Sequence, residues 1–202
     1  MNIGQKVSRR FKKTIEDFRF RRIRKMGISI ISNNCAGGLL YNHFGCRFQS
    51  PTINLQMSPE DYLRFCENLD YYCSLDILEE SPMGVVELFK ALGGTTIDFP
   101  IGRLGDLTLF FQHFDSFQQA VCKWNERKKR INHDRLFFVF VDTNCSMEMV
   151  RRFLDLPFRN KLFLTSNPGF LLDPTCVLFH NEPWFESDWL HVFNYKKWFE
   201  GK

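Results

Sequence analysis

No Cys-x-x-Cys pair occurs among the seven cysteines at 35, 46, 66, 73, 122, 145 and 176, which argues against a structural zinc site. Their odd number, and the lack of a secretory hydrophobic region ahead of the domain, make the reducing cytosol the expected compartment. No run of 18 apolar residues is present, so no segment is expected to span a bilayer. Neither the phosphate-binding GxxxxGK(S/T) nor the dinucleotide GxGxxG appears. No nucleic-acid module follows the basic amino terminus, so a nucleic-acid partner is not expected. Internal repeats, low-complexity tracts and linkers are missing as well.

What remains is a chain of 202 residues, enough for one domain with a sizeable core. Its 23 phenylalanines exceed ordinary structural need, so some Phe is expected on a cleft or a membrane-facing surface besides a Phe-rich core. The net charge of +4 is unevenly spread. Residues 1–25 carry ten Lys and Arg against only Glu16 and Asp17, and the rest of the chain is acidic without them. Within this arm Val7, Phe11, Ile15, Phe18 and Ile23 fall near helical spacing. The arm, residues 1–26, is therefore expected to be a basic amphipathic helix preceding an α/β domain over 27–202. Such a helix either lies on an anionic bilayer, on the inner face of the plasma membrane, or docks on the domain by its Phe residues.

The carboxyl-terminal part of the chain alternates between the two periodicities. Ile28–Ser32 reads as a buried strand running into the polar turn Asn33-Asn34-Cys35-Ala36-Gly37-Gly38. Ser58-Pro59-Glu60-Asp61 is a helix start, followed by a buried stripe at Tyr62, Phe65, Cys66 and Leu69. Tyr72–Leu78, Thr96–Phe99 and Leu107–Gln112 read as strands, the last two separated by a turn over Pro100–Asp106. Val85–Leu92 reads as a helix ending at Gly93-Gly94. Ser116-Phe117-Gln118-Gln119 is a capping box, and its helix ends in Arg127-Lys128-Lys129-Arg130. Leu136–Val141 is the continuous apolar run of a central strand. Ser146 caps a helix through Leu154, Lys161–Thr165 and Cys176–Phe179 are further strands, and Ser187-Asp188 opens a closing helix through Trp198. This alternation predicts a single three-layer α/β domain with a largely parallel or mixed sheet.

Five segments together resemble one bacterial family: Ser32–Gly38, Ser50-Pro51-Thr52-Ile53-Asn54-Leu55, Phe99–Asp106, Trp124 with Arg127–Asn132, and Phe193-Asn194-Tyr195-Lys196-Lys197-Trp198. The family is the domain-of-unknown-function family numbered 1919, whose members are often labelled exopolysaccharide biosynthesis proteins. The resemblance runs from about residue 27 to the carboxyl end. It implies a three-layer α/β fold and a role in making surface glycans. The family has no established catalytic residues to carry over. The position of Ala36 is often aromatic in the family motif, and a smaller residue there changes the packing of the first turn.

Several residues are candidates for chemistry because ligands bind at the carboxyl ends of strands in α/β sheets. Cys35, at the start of a helix, has the setting of an acyl-transfer nucleophile if a His lies within reach. His43 sits about two helical turns further along, whereas His113 is better placed if the strand before it neighbours the first. A buried core thiol is the plainer reading of Cys35. Asn33 and Asn34 are expected to orient a ligand or to satisfy backbone groups. Arg103 can clamp a phosphate and Asp106 can hold a sugar hydroxyl, a metal ion or Arg103 itself; a tight turn closed by that Arg–Asp pair weighs equally. Asp142 ends the most buried strand, and Asp142-Thr143-Asn144 is at best a degenerate Asp-x-Asp. Arg127 is expected to be pinned to a neighbour or to join a diphosphate-binding patch, with Trp124 in the core and the lysines free. No metal ligands are assigned.

These readings lead to two expectations. One is a glycosyl- or acyltransferase acting on a polysaccharide or lipid-linked sugar at the cytosolic membrane face, with a sugar nucleotide or acetyl-coenzyme A as donor. The other is a non-catalytic binding or scaffold protein of the polysaccharide assembly machinery. The first requires the Cys35 turn, the Arg103–Asp106 bend and Asp142 to share one hollow.

Overall fold

In the computed structural model, which describes residues 20–180 and 188–201, four apolar segments pair as a parallel sheet. They are Ser29–Ser32 (β1), Leu136–Val141 (β5), Lys161–Thr165 (β6) and Cys176–Leu178 (β7), in that spatial order. The register sets Ser29 against Leu136, Val139 against Leu162 and Phe163 against Cys176. Side chains of β5 alternate between two cores. Phe138 and Phe140 join Ile31 and Phe163 on one face, while Phe137, Val139 and Val141 join Ile30, Leu162 and Leu164 on the other. A strand buried on both faces needs a continuous apolar run, which is why Leu136–Val141 lacks polar alternation.

Helices cover each face. Pro59–Glu67 (α3), Phe117–Lys128 (α6) and Met147–Asp155 (α7) contribute Tyr62, Phe65, Trp124 and Phe153 to the first core. The helical residues 20–25 (α1), Ala36–Phe44 (α2), Trp189–Val192 (α8) and Tyr195–Phe199 (α9) contribute Phe20, Ile23, Tyr41, Trp189 and Phe199 to the second. This is the three-layer α/β arrangement. The starts of α3, α6 and α7 carry the expected serine caps, with Ser58, Ser116 and Ser146 accepting from the N–H groups of Asp61, Gln119 and Met149. The capping box is not reciprocal, because the Gln119 carbonyl takes the N–H of Asp115 instead.

The middle of the chain builds a second, antiparallel sheet from Leu78–Glu79 (β2), Ile101–Leu104 (β3) and Leu107–Phe110 (β4). Three expectations are corrected here. Tyr72–Leu78 is not a strand: Leu69–Ser74 is helical (α4), with Leu69 and Tyr72 buried, and only Leu78–Glu79 pairs. The first strand of the hairpin is Ile101–Leu104 rather than Thr96–Phe99, because Gly105-Asp106 alone makes the turn and Gly105 takes the positive φ of +61° that its first position requires. The closing helix is interrupted at Phe193-Asn194, where the Asn194 side chain caps α9 through the Lys197 N–H. Val86–Ala91 (α5) is helical as expected. The first 19 residues of the basic arm lie outside the described residues; Phe20 and Ile23 are built into the second core.

The two sheets meet through one extended segment. Gln56 exchanges both backbone hydrogen bonds with Phe110 at the end of β4, and the Met57 N–H donates to Asn33 O just past β1. Earlier in the same segment Thr52 accepts the Ser32 N–H. Buried Ser50, Thr52 and Ile53 therefore line the otherwise unpaired edge of β1.

Candidate functional site

At the carboxyl edge of the parallel sheet, β1 runs into Asn33-Asn34-Cys35. Asn33 is fully buried and continues the sheet with its side chain: its amide donates to Val141 O at 2.9 Å and its carbonyl accepts the Val141 N–H at 2.9 Å. Asn34 Oδ1 accepts the Ala36 N–H at 3.0 Å, and Ser32 Oγ accepts the Gly37 N–H at 3.1 Å while donating to Asn34 O. Two of the open N–H groups at the start of α2 are thus occupied by the chain's own side chains, not held open for an oxyanion. A Cβ on Gly37 would lie 2.6 Å from Ser32 Oγ, so glycine is what allows α2 to sit this close to β1.

On the neighbouring strand, Asp142 accepts the Cys145 N–H at 3.0 Å and the Thr165 hydroxyl at 2.8 Å, tying the end of β5 to that of β6. Two buried polar atoms at this edge have no protein partner, Asn34 Nδ2 and Thr143 Oγ1. The third such atom among the described residues, Trp124 Nε1, lies in the first core. An unmade hydrogen bond on a buried group costs about 1–3 kcal/mol, so these two groups on adjacent strand ends are ones that a water or a polar ligand would satisfy. Asn34, Asp142 and Thr143, with Thr165 behind them, form the candidate site. Thr143 and Thr165 are additions to the residues read from sequence, which offers no signal for a buried hydroxyl without a partner.

Cys35 stands at this edge, yet its thiol does not suit nucleophilic work. Burial pushes its pKa up to about 11, so the thiolate is scarce at neutral pH. His113 is exposed beyond β4, in the other sheet; its strand does not neighbour β1, which removes the condition on which the pairing rested. His43 is in the last turn of α2, about 12 Å along the axis from Cys35, packed against Phe20 and Phe44.

The Arg103–Asp106 bend does not join the site. Arg103 lies within β3 and donates to Glu80 at 2.6 Å. Asp106 accepts from Tyr72 and Arg64, each at 2.8 Å, and these bonds hold its carboxyl below the usual range. Both residues belong to the antiparallel sheet, where their charges are answered by neighbours. Arg127 is also taken up internally. Its guanidinium is buried, donates to Ile53 O at 3.1 Å and lies over the rings of Phe48 and Phe114 at 5.2 and 5.9 Å; burial lowers its pKa. Arg130 reaches Phe48 O and Lys128 reaches Leu75 O, so the basic run fastens α6 to the loops beside it and Lys128 is not free. Trp124 is in the core. Among the described residues no three His, Cys, Asp or Glu side chains gather to hold a metal ion.

No helix among the described residues is long and apolar enough to cross a membrane. A protein of Haemophilus influenzae, described as uncharacterized, is 31% identical over 192 residues, covering 89% of this chain and 87% of its own. The family profile of the domain of unknown function DUF1919 matches residues 6–200. With the match extending from the basic arm through the last helix, the chain belongs to the DUF1919 family.

Proposed function

We propose that the chain works in bacterial capsule or exopolysaccharide biosynthesis at the cytosolic face of the membrane, as a transferase acting on surface-glycan precursors through the Asn34, Asp142 and Thr143 edge alone, because the hollow expected to unite that edge with the Arg103–Asp106 bend is not formed. The glycan setting is supported by the family resemblance of the five sequence segments. The single observation that carries a ligand-binding role is the pair of unpartnered buried groups, Asn34 Nδ2 and Thr143 Oγ1, flanking Asp142 at the carboxyl edge of β1 and β5. An amide and a hydroxyl beside a carboxylate suit the hydroxyls and phosphate oxygens of a sugar nucleotide. The high pKa of Cys35 and its separation in topology from His113 favour glycosyl over acyl transfer. In that reaction the acceptor hydroxyl oxygen bonds to the anomeric carbon of the donor. The bond from that carbon to the donor phosphate breaks, the phosphate leaves with the electron pair, and Asp142 accepts the hydroxyl proton.

A thermal-shift screen against sugar nucleotides, acetyl-coenzyme A and divalent ions tests the reading. A ligand at 100 times its dissociation constant adds about 2.7 kcal/mol, or roughly 5–10 °C for a chain of this size. Thr143→Val, which keeps shape and removes the hydroxyl, is expected to diminish that shift and to raise the unliganded midpoint, because the unpaired buried hydroxyl is gone. The alternative, a non-catalytic scaffold of the assembly machinery, is favoured by the internal engagement of Arg103, Asp106 and Arg127. It prevails if no donor shifts the midpoint and Asp142→Asn cells make unaltered polymer.

A further inference from the structure

A groove of about 540 Å³ opens at the far end of α2 from the candidate site, between α1–α2 and α8–α9. The nine residues of α2 separate the two places by roughly 13 Å. The groove is large enough for one small ligand. Its aromatic side is built by Phe20, Phe193 and Tyr195, with the last two rings edge to face at 5.0 Å. The Tyr195 hydroxyl is spent on Trp189 O, so that residue presents its ring rather than a polar end. Its polar side is lined by His43, His191 and the cation Lys196, with no carboxylate among the described lining residues. Val192 stands 40% exposed on the rim.

The adjoining helix α1 adds positive charge. Phe20 lines the groove and lies at the base of the basic arm. On α1, Phe20 and Ile23 are buried while Arg21, Arg22, Arg24 and Lys25 are exposed. Residues 1–19 add six more Lys and Arg against Glu16 and Asp17. Exposed Val192 beside Lys196, with the exposed cations of α1 across the groove, is the pairing of apolar and positive side chains that an anionic bilayer surface attracts.

We propose that this groove receives the phosphate-bearing head and upper acyl chain of an anionic phospholipid, docking the molecule on the bilayer through the α1, α8 and α9 end. The assignment rests on the membrane-face part of the proposed function and deepens it by naming the lipid and its seat. Lys196 and His191 meet the phosphate, and Val192, Phe193 and Phe20 meet the chain. The carboxyl edge of the sheet then stands off the membrane by about the length of α2, where the glycan head of a lipid-linked precursor is to be found.

The test compares full-length chains in binding to vesicles of phosphatidylcholine, with and without phosphatidylglycerol. Loss of a cation near the surface weakens binding about fivefold, so Lys196→Gln combined with Val192→Asp is expected to weaken binding to the anionic vesicles tenfold or more, with an unchanged melting midpoint. Short-chain phosphatidylglycerol below its micellar concentration is expected to move the His191 and Lys196 NMR signals. If Arg9→Gln/Arg10→Gln loses binding while the groove variant matches the parent, the groove assignment falls and the membrane-face reading survives. If the parent binds neither vesicle, both fall. If glycerol 3-phosphate moves the same signals as strongly as the lipid and the vesicles do not differ, the groove serves a soluble phosphate ester and the lipid assignment is overturned.

Discussion

Asn33 shows how a polar residue at a strand end can be spent wholly on the backbone. Both ends of its amide complete the pairing of Val141 across the β1–β5 boundary. Asn33→Ala leaves a buried N–H and a buried C=O of Val141 without partners, and the expected loss is about 2–4 kcal/mol. The check is a denaturant midpoint that falls at constant slope. Asn33→Asp is not a rescue, because a carboxylate cannot donate to Val141 O. At the same scale, sequence reading placed Asn33 and Asn34 correctly at the end of a strand but left ligand and backbone roles open. The choice between them depends on a strand 108 residues away. Cys35 was legible as the residue before a helix, whereas its thiol pKa is governed by burial from surrounding chain segments that spacing does not reveal.

Packing of α2 on β1 turns on one of two adjacent glycines. A Cβ at Gly37 collides with Ser32 Oγ at 2.6 Å, whereas at Gly38 the nearest atom is Ile53 Cγ2 at an ordinary 3.5 Å. Gly37→Ala is therefore expected to destabilise by about 1–3 kcal/mol, and Gly38→Ala to be neutral or to stabilise by up to roughly 1 kcal/mol through helix propensity. Thermal unfolding of the two variants side by side distinguishes them. Elements with strong local signals were legible: the serine caps of α3, α6 and α7, the apolar run of β5 and the helix before Gly93. Elements selected by tertiary partners were not. Leu69–Ser74 is rich in residues that suit a strand, yet it is helical with Leu69 and Tyr72 buried in the first core. The β3–β4 hairpin was displaced by a few residues because Gly102 and Gly105 both read as turn residues, while only Gly105 has positive φ.

For the molecule as a whole, the ionisable groups within its cores set an alkaline limit. Cys35, Cys46 and Cys73 are each pushed from the ordinary 9.0 to about 11 by burial, and Tyr62 is raised by the same cause. Below pH 9 these thiols are protonated in both folded and unfolded chains and have no pH-dependent effect. Between 9 and 11 the unfolded chain ionises first, so stability falls as pH rises. A melting midpoint that is level from pH 7.5 to 8.5 and declines from pH 9 to 11 is expected. On the acid side Glu60 and Asp106, held low by bonds from Arg152 and Tyr72, add stability above the ordinary carboxylate range that is lost as pH drops below it. Asp106 is largely exposed and Glu60 about a third so, and solvent screening keeps that contribution small. The three-layer class was legible from alternating helix and strand, but the grouping of strands into two sheets was not, and that grouping is what separates Arg103 and Asp106 from Asp142.

The order β1-β5-β6-β7 also has a temporal side. The first strand emerges from the ribosome with its sheet neighbour more than a hundred residues behind it. At 5–20 residues per second the wait is about 5–20 s. During that interval Ile30 and Ile31 lack the strand that pairs with them, and their cover is limited to α2, α3 and the Gln49–Met57 segment. Nascent chains stalled before Leu136 should therefore recruit chaperones through β1, and those stalled well beyond Thr165 should release them.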